Sequence, residues 1–165
     1  MKRLIAKLLT RFPSLAKPFI ALYRPAESDT IPWTPVGKPL HLSKISLITT
    51  AGVHHKNQVP FNMRDIHGDP SFREIDGTRQ AGDLMITHDY YDHTDADRDI
   101  NIVFPIERLR EFEREGIIGQ LADTHYGFMG HIRGHHIETL TRKSSPEVAR
   151  RLKVAGVDAV LLTPG

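Results

Sequence analysis

The 165-residue chain contains no cysteine. That excludes disulfides, thiolate ligands to zinc and a thiol nucleophile from these residues. It fits a reducing compartment, and a cytoplasmic location is the expectation. No apolar run approaches the roughly 20 residues that a membrane-spanning helix needs. The basic start is interrupted by Arg11 and Pro13, and no small-residue cleavage site follows, so no secretory signal is expected. A glycine-rich phosphate loop is also missing, because Thr49-Thr50-Ala51-Gly52 is too short to serve as one. With a formal net charge of only +2, the chain as a whole has no electrostatic case for nucleic acid.

What is present is an ordinary globular composition, 39% hydrophobic and 25% charged, in a length that suits one domain with a substantial core. The charge is unevenly placed. Residues 1–24 carry Lys2, Arg3, Lys7, Arg11, Lys17 and Arg24 with no acid, whereas Asp83 to Asp99 holds six aspartates and a single Arg98. Neither an internal repeat nor a low-complexity segment appears.

Leu4, Ile5, Leu8, Leu9, Phe12 and Leu15 recur at spacings of three and four, which predicts a basic amphipathic helix within 1–24, broken or kinked at Pro13 and Pro18. Docking on the domain or on a partner subunit is its expected role, in preference to a membrane surface. Residues 25–40 contain four of the eleven prolines and read as an extended connector. The folded unit is expected over 41–165.

Within that unit, residues 44–50, 83–88 and 157–163 are apolar runs that predict strands. Two helices are expected between them. One covers 104–116, with Pro105 and Glu107 at its start and Gly116 at its stop; the other covers 144–156, with Ser144 and Glu147 in capping-box spacing and Gly156 as terminator. Helix, glycine turn and apolar strand make an α/β unit. The expected fold is an open, mostly parallel sheet with flanking helices, three-layered in the Rossmann or flavodoxin manner. In such sheets ligands bind beyond the carboxyl ends of the strands. Those ends are Thr49 to His54, His88 to Asp92, and Thr163-Pro164-Gly165.

Two of the three lead into dense polar chemistry. Residues 87–99 contain His88, Asp89, Asp92, His93, Asp95, Asp97 and Asp99. Histidine and carboxylate together can bind a metal, orient a general base or clamp a cationic substrate, or the aspartates can simply cap turns. The spacing matches no standard metal motif. Residues 125–136 add four histidines among Gly127, Gly130 and Gly134, a pattern for a loop approached closely by a ligand or another chain. Arg64 and Arg73 are candidate anion partners, with surface salt bridges the plainer account.

These stretches, "ISLITTAGVHHKNQVPF", "GDPSFREI", the run from "ITHDYYDHTDADRD" through "VFPIERLREFEREG" to "THYGFMG", and "VDAVLLTP", resemble the selenoprotein B component of glycine, sarcosine, betaine and D-proline reductases. The likeness spans about residues 31–165. It implies reductive cleavage of a C–N bond alpha to a carboxylate. A pyruvoyl group on a partner subunit would activate some substrates, and a selenolate would displace the amine. In that family selenocysteine or cysteine follows the "VDAVLLTP" strand. Here neither residue follows, so Gly165 is expected to abut an in-frame UGA, the chain being the first part of a longer selenoprotein.

The resemblance implies His88, Asp89 and Asp92 as catalytic residues, with Thr50, Gly52, His54, Tyr91, His125, Thr163 and Gly165 around a small amino-acid-like substrate. No metal is expected, and the selenocysteine would lie just beyond Gly165. Other reductase subunits are the expected partners, in a homo- or hetero-oligomer. A non-catalytic accessory or small-ligand-binding subunit is the alternative, and a His/Asp metal hydrolase a third.

Overall fold

The computed structural model describes residues 2–22 and 34–165. Most of the expected connector falls outside the described residues; of its described part, 34–39 is neither helix nor strand and Leu40 opens a short 3-10 turn, Leu40–Leu42. Two helices, α1 (Lys2–Arg11) and α2 (Pro13–Leu22), stand where one was expected. The break precedes Pro13, whose missing N–H suits a first helical position, while Pro18 is accommodated inside α2. The folded unit then runs β1 (Lys44–Thr49), β2 (Val53–His55), β3 (Arg73–Asp76), β4 (Leu84–Ile86), α3 (Ile106–Arg114), β5 (Gln120–Leu121), β6 (Thr124–Gly127), α4 (His135–Thr139), α5 (Ser145–Val154) and β7 (Ala159–Thr163).

β1 organises the main sheet. β7 lies along one side of it in parallel, from Ile45↔Ala159 to Thr49↔Thr163. The other side meets an interrupted strand, with β5 beside the start of β1 and β6 beside its end, both parallel. β3 extends this flank antiparallel to β6. β2 and β4 form a separate antiparallel pair.

The protein is therefore mixed α/β, as expected, but its sheet is mixed and backed by few helices. The strand expected over 83–88 shortens to β4 and leaves the main sheet. Its Leu84 and Ile86 are buried around an exposed Met85, the alternation of a half-covered antiparallel strand rather than a fully buried parallel one.

The two expected helices form, with one correction. α3 buries Ile106 and Leu109, and Gly116 at φ +69° follows its end. α5 has no capping box, because Ser144 is already helical and makes no side-chain cap. α4 continues through a π turn at Leu140–Ser144 into α5, so no helix start exists there to cap. Glu147 instead binds Arg150 and Arg151. Ile45, Leu47, Ile75, Phe104, Ile106 and Leu109 belong to the main core. Tyr126, Phe128, Val148 and Leu152 form a smaller one with α5. Fully burying each such apolar side chain contributes about 1.5–3 kcal/mol.

Candidate active site

β1, β6 and β7 run parallel, so their carboxyl ends lie on one side of the sheet. Main-chain bonds hold the ends together: Thr50 N–H donates to Thr163 O at 3.0 Å, Phe128 N–H to Thr49 O at 2.8 Å, and Gly52 N–H to Phe128 O at 2.9 Å. Gly52 turns the chain at φ +75°, and a Cβ there would meet the Thr87 carbonyl oxygen at 2.5 Å. Thr87 N–H donates to Gly52 O at 2.9 Å, which seats His88 directly on this turn. From the other side Gly165 packs so tightly on Ala51 that any Cβ would overlap the Ala51 backbone. Thr163 anchors the approach by donating its hydroxyl to Val103 O at 2.7 Å.

His88 is buried, and its Nδ1 accepts the Tyr90 main-chain N–H at 3.2 Å. Acceptance at Nδ1 leaves the proton of the neutral ring on Nε2, which is buried and has no partner among the described residues. Burial lowers its pKa from 6.5 to about 4, helped by the nearby His131 and His93 and opposed by Asp89. The ring is therefore neutral at pH 7 and carries an unspent donor.

Tyr91 packs edge-on against His88, with ring centroids 4.9 Å apart, and donates its hydroxyl to Ala51 O at 3.1 Å. Burial, and then the charge of Asp97, push its pKa up, so it stays a phenol. Asp89 is half-buried next to His88. Asp92 closes a local turn, accepting from the Thr94 hydroxyl at 2.6 Å and the Thr94 N–H at 3.2 Å, and these bonds hold its carboxyl below the usual range. His93 bonds Asp97 at 2.8 Å. Spacing gave no sign of one contact: His131 stacks on Tyr90 at 3.6 Å, joining the loop after β6 to this cluster. Nor did it single out Ala51, which receives both Tyr91 and Gly165.

Of the remaining expected site residues, Thr50 joins the strand ends through its N–H and also borders an apolar groove beneath α5. His54 spends both nitrogens, one on the His55 carbonyl and one on the Thr87 hydroxyl, each at 2.8 Å. His125 is fully buried in the sheet, where its Nδ1 accepts Leu47 N–H at 3.0 Å. Gly127 makes a close approach of the expected kind, but to the chain's own backbone: a Cβ would overlap the Val53 carbonyl oxygen. Arg73 lies 4.3 Å over the Phe61 ring and reaches Asp69 at 3.6 Å, while Arg64 is exposed. Among the described residues no group of three or more His, Cys, Asp or Glu could hold a metal ion. No helix among them is long and apolar enough to cross a membrane.

Comparison with known proteins gives one consistent result. The glycine/sarcosine/betaine reductase selenoprotein B family matches residues 1–165. The D-proline reductase subunit gamma of Acetoanaerobium sticklandii is 45% identical over 133 residues, 81% of this chain and 53% of that protein. The glycine reductase complex component B subunit gamma of Symbiobacterium thermophilum is 34% identical over 155 residues, 89% of this chain and 34% of that protein. The betaine reductase complex component B subunit beta of Peptoclostridium acidaminophilum is 26% identical over 146 residues, 83% of this chain and 31% of that protein. The chain thus spans about half the length of the first and about a third of the others. No solved structure matches it.

Proposed function

The chain belongs to the glycine/sarcosine/betaine reductase selenoprotein B family, and from that premise we propose that it is the B-type part of an oxidoreductase cleaving the C–N bond of a small amino-acid-like substrate. Glycine, betaine, sarcosine and D-proline define the substrate class, because the relatives carry those names. The cytoplasm is the proposed location, and other subunits of the reductase are the proposed partners. A doubly wound, three-layer sheet is the proposed form of the completed fold.

The observation that carries this reading is the buried, unpartnered Nε2 of His88, a residue packed on the Gly52 turn that follows β1. A neutral imidazole N–H in a dry site binds an anion strongly without needing a proton from solution. It suits the substrate carboxylate or a soft anionic nucleophile. Asp89 lies beside it to hold the ammonium end, and Asp92 fixes the loop that carries both. Gly52, Tyr91 and Thr163 shape the floor, and Gly165 directs the chain across it. In the family, a selenocysteine or cysteine behind this strand supplies the nucleophile, and a pyruvoyl group on a partner subunit activates some substrates. This chain has no cysteine, so that residue would have to come from beyond Gly165.

The chain by itself should cleave no C–N bond with a dithiol reductant, neither releasing amine from glycine, betaine or sarcosine nor opening the ring of D-proline. Joined behind Gly165 to a selenocysteine- or cysteine-bearing segment, and supplied with the partner subunits, it should do so. An extended protein that neither releases amine from glycine, betaine or sarcosine nor opens the ring of D-proline would sink the reading. The lack of cysteine also favours a second reading, a non-catalytic accessory or small-ligand-binding subunit. Its mark would be co-purification with partner subunits without turnover.

A further inference from the structure

β7 is an edge strand without the usual protections. β1 takes its inner side over five residues, and among the described residues no strand takes its outer side. Natural edge strands resist pairing through charges, prolines, bulges or extreme shortness. Ala159-Val160-Leu161-Leu162-Thr163 has no charge and no proline, and its register with β1 is unbroken. Both faces show apolar side chains: Val160 is 36%, Leu161 41% and Leu162 69% exposed.

Beside the strand, beneath α5, lies an open groove of about 390 Å³ bordered by Ile48, Phe128, Leu140, Val148, Val160 and Leu162. No charged side chain lines it. A small zwitterion would lose its hydration there and gain no charged partner, so the groove is ill suited to a substrate. Apolar side chains on a regular backbone are what its walls would accept.

Parallel strands are ordinarily covered on both faces and flanked by further strands. The family has the chain length to do this, since this protein spans only 53% of the D-proline reductase subunit gamma and 34% of a glycine reductase component B subunit gamma. A helix and a parallel return strand need about a dozen residues or more, which the unmatched part of either relative exceeds. A second copy of this chain suits the surface less well. A two-fold axis would place the two β7 edges antiparallel and bring no new helix for the groove.

We propose that the outer edge of β7 and the groove beneath α5 receive a parallel strand and an apolar helix from the portion of the family's length that this chain does not match. Neither surface includes His88, so the outcome for this interface is separate from the outcome for the proposed chemistry.

The test uses the full chain alone and the full chain joined behind Gly165 to the unmatched portion of the D-proline reductase subunit gamma. Hydrogen exchange is followed at residues 159–163, with mass from light scattering. In the joined protein these amides should exchange at least about tenfold more slowly than in the chain alone. Leu162→Lys, a change at an exposed position, should remove most of that protection. Exchange in the joined protein at the rate of the isolated chain overturns the proposal. So does a chain that dimerises alone through this edge, with β7 already protected and the dimer broken by Leu162→Lys, because a second copy is then the occupant.

Discussion

The main-chain N–H of Leu47 donates to Nδ1 of His125 at 3.0 Å, inside the gap between β5 and β6. β1 has ladder partners at Lys44 and Ile45 in β5 and at Ile48 and Thr49 in β6, so Ser46 and Leu47 would otherwise face the break. The imidazole takes up one of those groups, and the Ser46 hydroxyl bridges to Thr124 O at 2.9 Å. His125→Leu would leave a buried N–H unpaired, at a cost of about 1–3 kcal/mol. Urea unfolding measures this, and a loss near zero would show that the gap closes without the ring.

Acid should weaken the fold through its buried histidines. Burial lowers the pKa of His88 and of His125 from 6.5 to about 4, and it also lowers those of His54 and His55. Above pH 6.5 both folded and unfolded states hold these rings neutral, and the stability is fully present. As pH falls from 6.5 towards 4 the unfolded chain takes up protons that the folded chain refuses. For His88 and His125 this removes up to about 1.4 kcal/mol per pH unit over that window. Urea midpoints from pH 7.5 to 4.5 should decline, and His125→Leu should flatten the decline; an equal slope in the variant would count against the assignment.

His88 can be divided into its two nitrogens. The Asn side-chain oxygen takes the place of Nδ1, so His88→Asn keeps an acceptor for Tyr90 N–H and deletes Nε2. Its stability should stay within about 1 kcal/mol of the parent. C–N cleavage by the extended, reconstituted reductase should fall about 100-fold or more, the usual scale for losing one placed donor. Full activity in His88→Asn would make the ring a structural part only.

What could be read from the sequence was whatever repeats locally. Pro105 and Gly116 bracket α3, and the run from Val157 to Thr163 announces β7, because propensity and burial agree there. β2 and β3 escaped notice because His54, His55, Arg73, Glu74 and Asp76 make them look like polar loop. β6 was hidden in a histidine-rich stretch whose His125 serves the sheet and not the surface. At the site, Gly52 and His88 were legible from their places after apolar runs. The stack of Tyr90 on His131 was not, since it joins two loops with no periodic relation. Ser144 and Glu147 had the right spacing for a cap but sit within a continuing helix, a context that only tertiary structure supplies.

Three glycines separate backbone strain from steric overlap. Gly156 has φ +70° with nothing within 4 Å of a Cβ, so Gly156→Ala bears strain alone, about 1–2 kcal/mol. Gly127 lies outside the positive-φ set, but a Cβ would overlap Val53 O. Gly127→Ala must therefore push β2 away from β6, at about 1–3 kcal/mol. Gly52 combines both, with φ +75° and a Cβ 2.5 Å from Thr87 O and 3.1 Å from the His88 Cβ. Gly52→Ala should be the most destabilising of the three, and should also displace His88 from the ends of β1 and β7. Thermal melts should rank Gly156→Ala above Gly127→Ala and Gly52→Ala lowest. Of the three, Gly52→Ala should also bring the largest loss of C–N cleavage in the extended protein. If Gly52→Ala melts with Gly156→Ala and keeps its activity, the turn yields easily, and the packing of residues 87–88 upon it does not set the site.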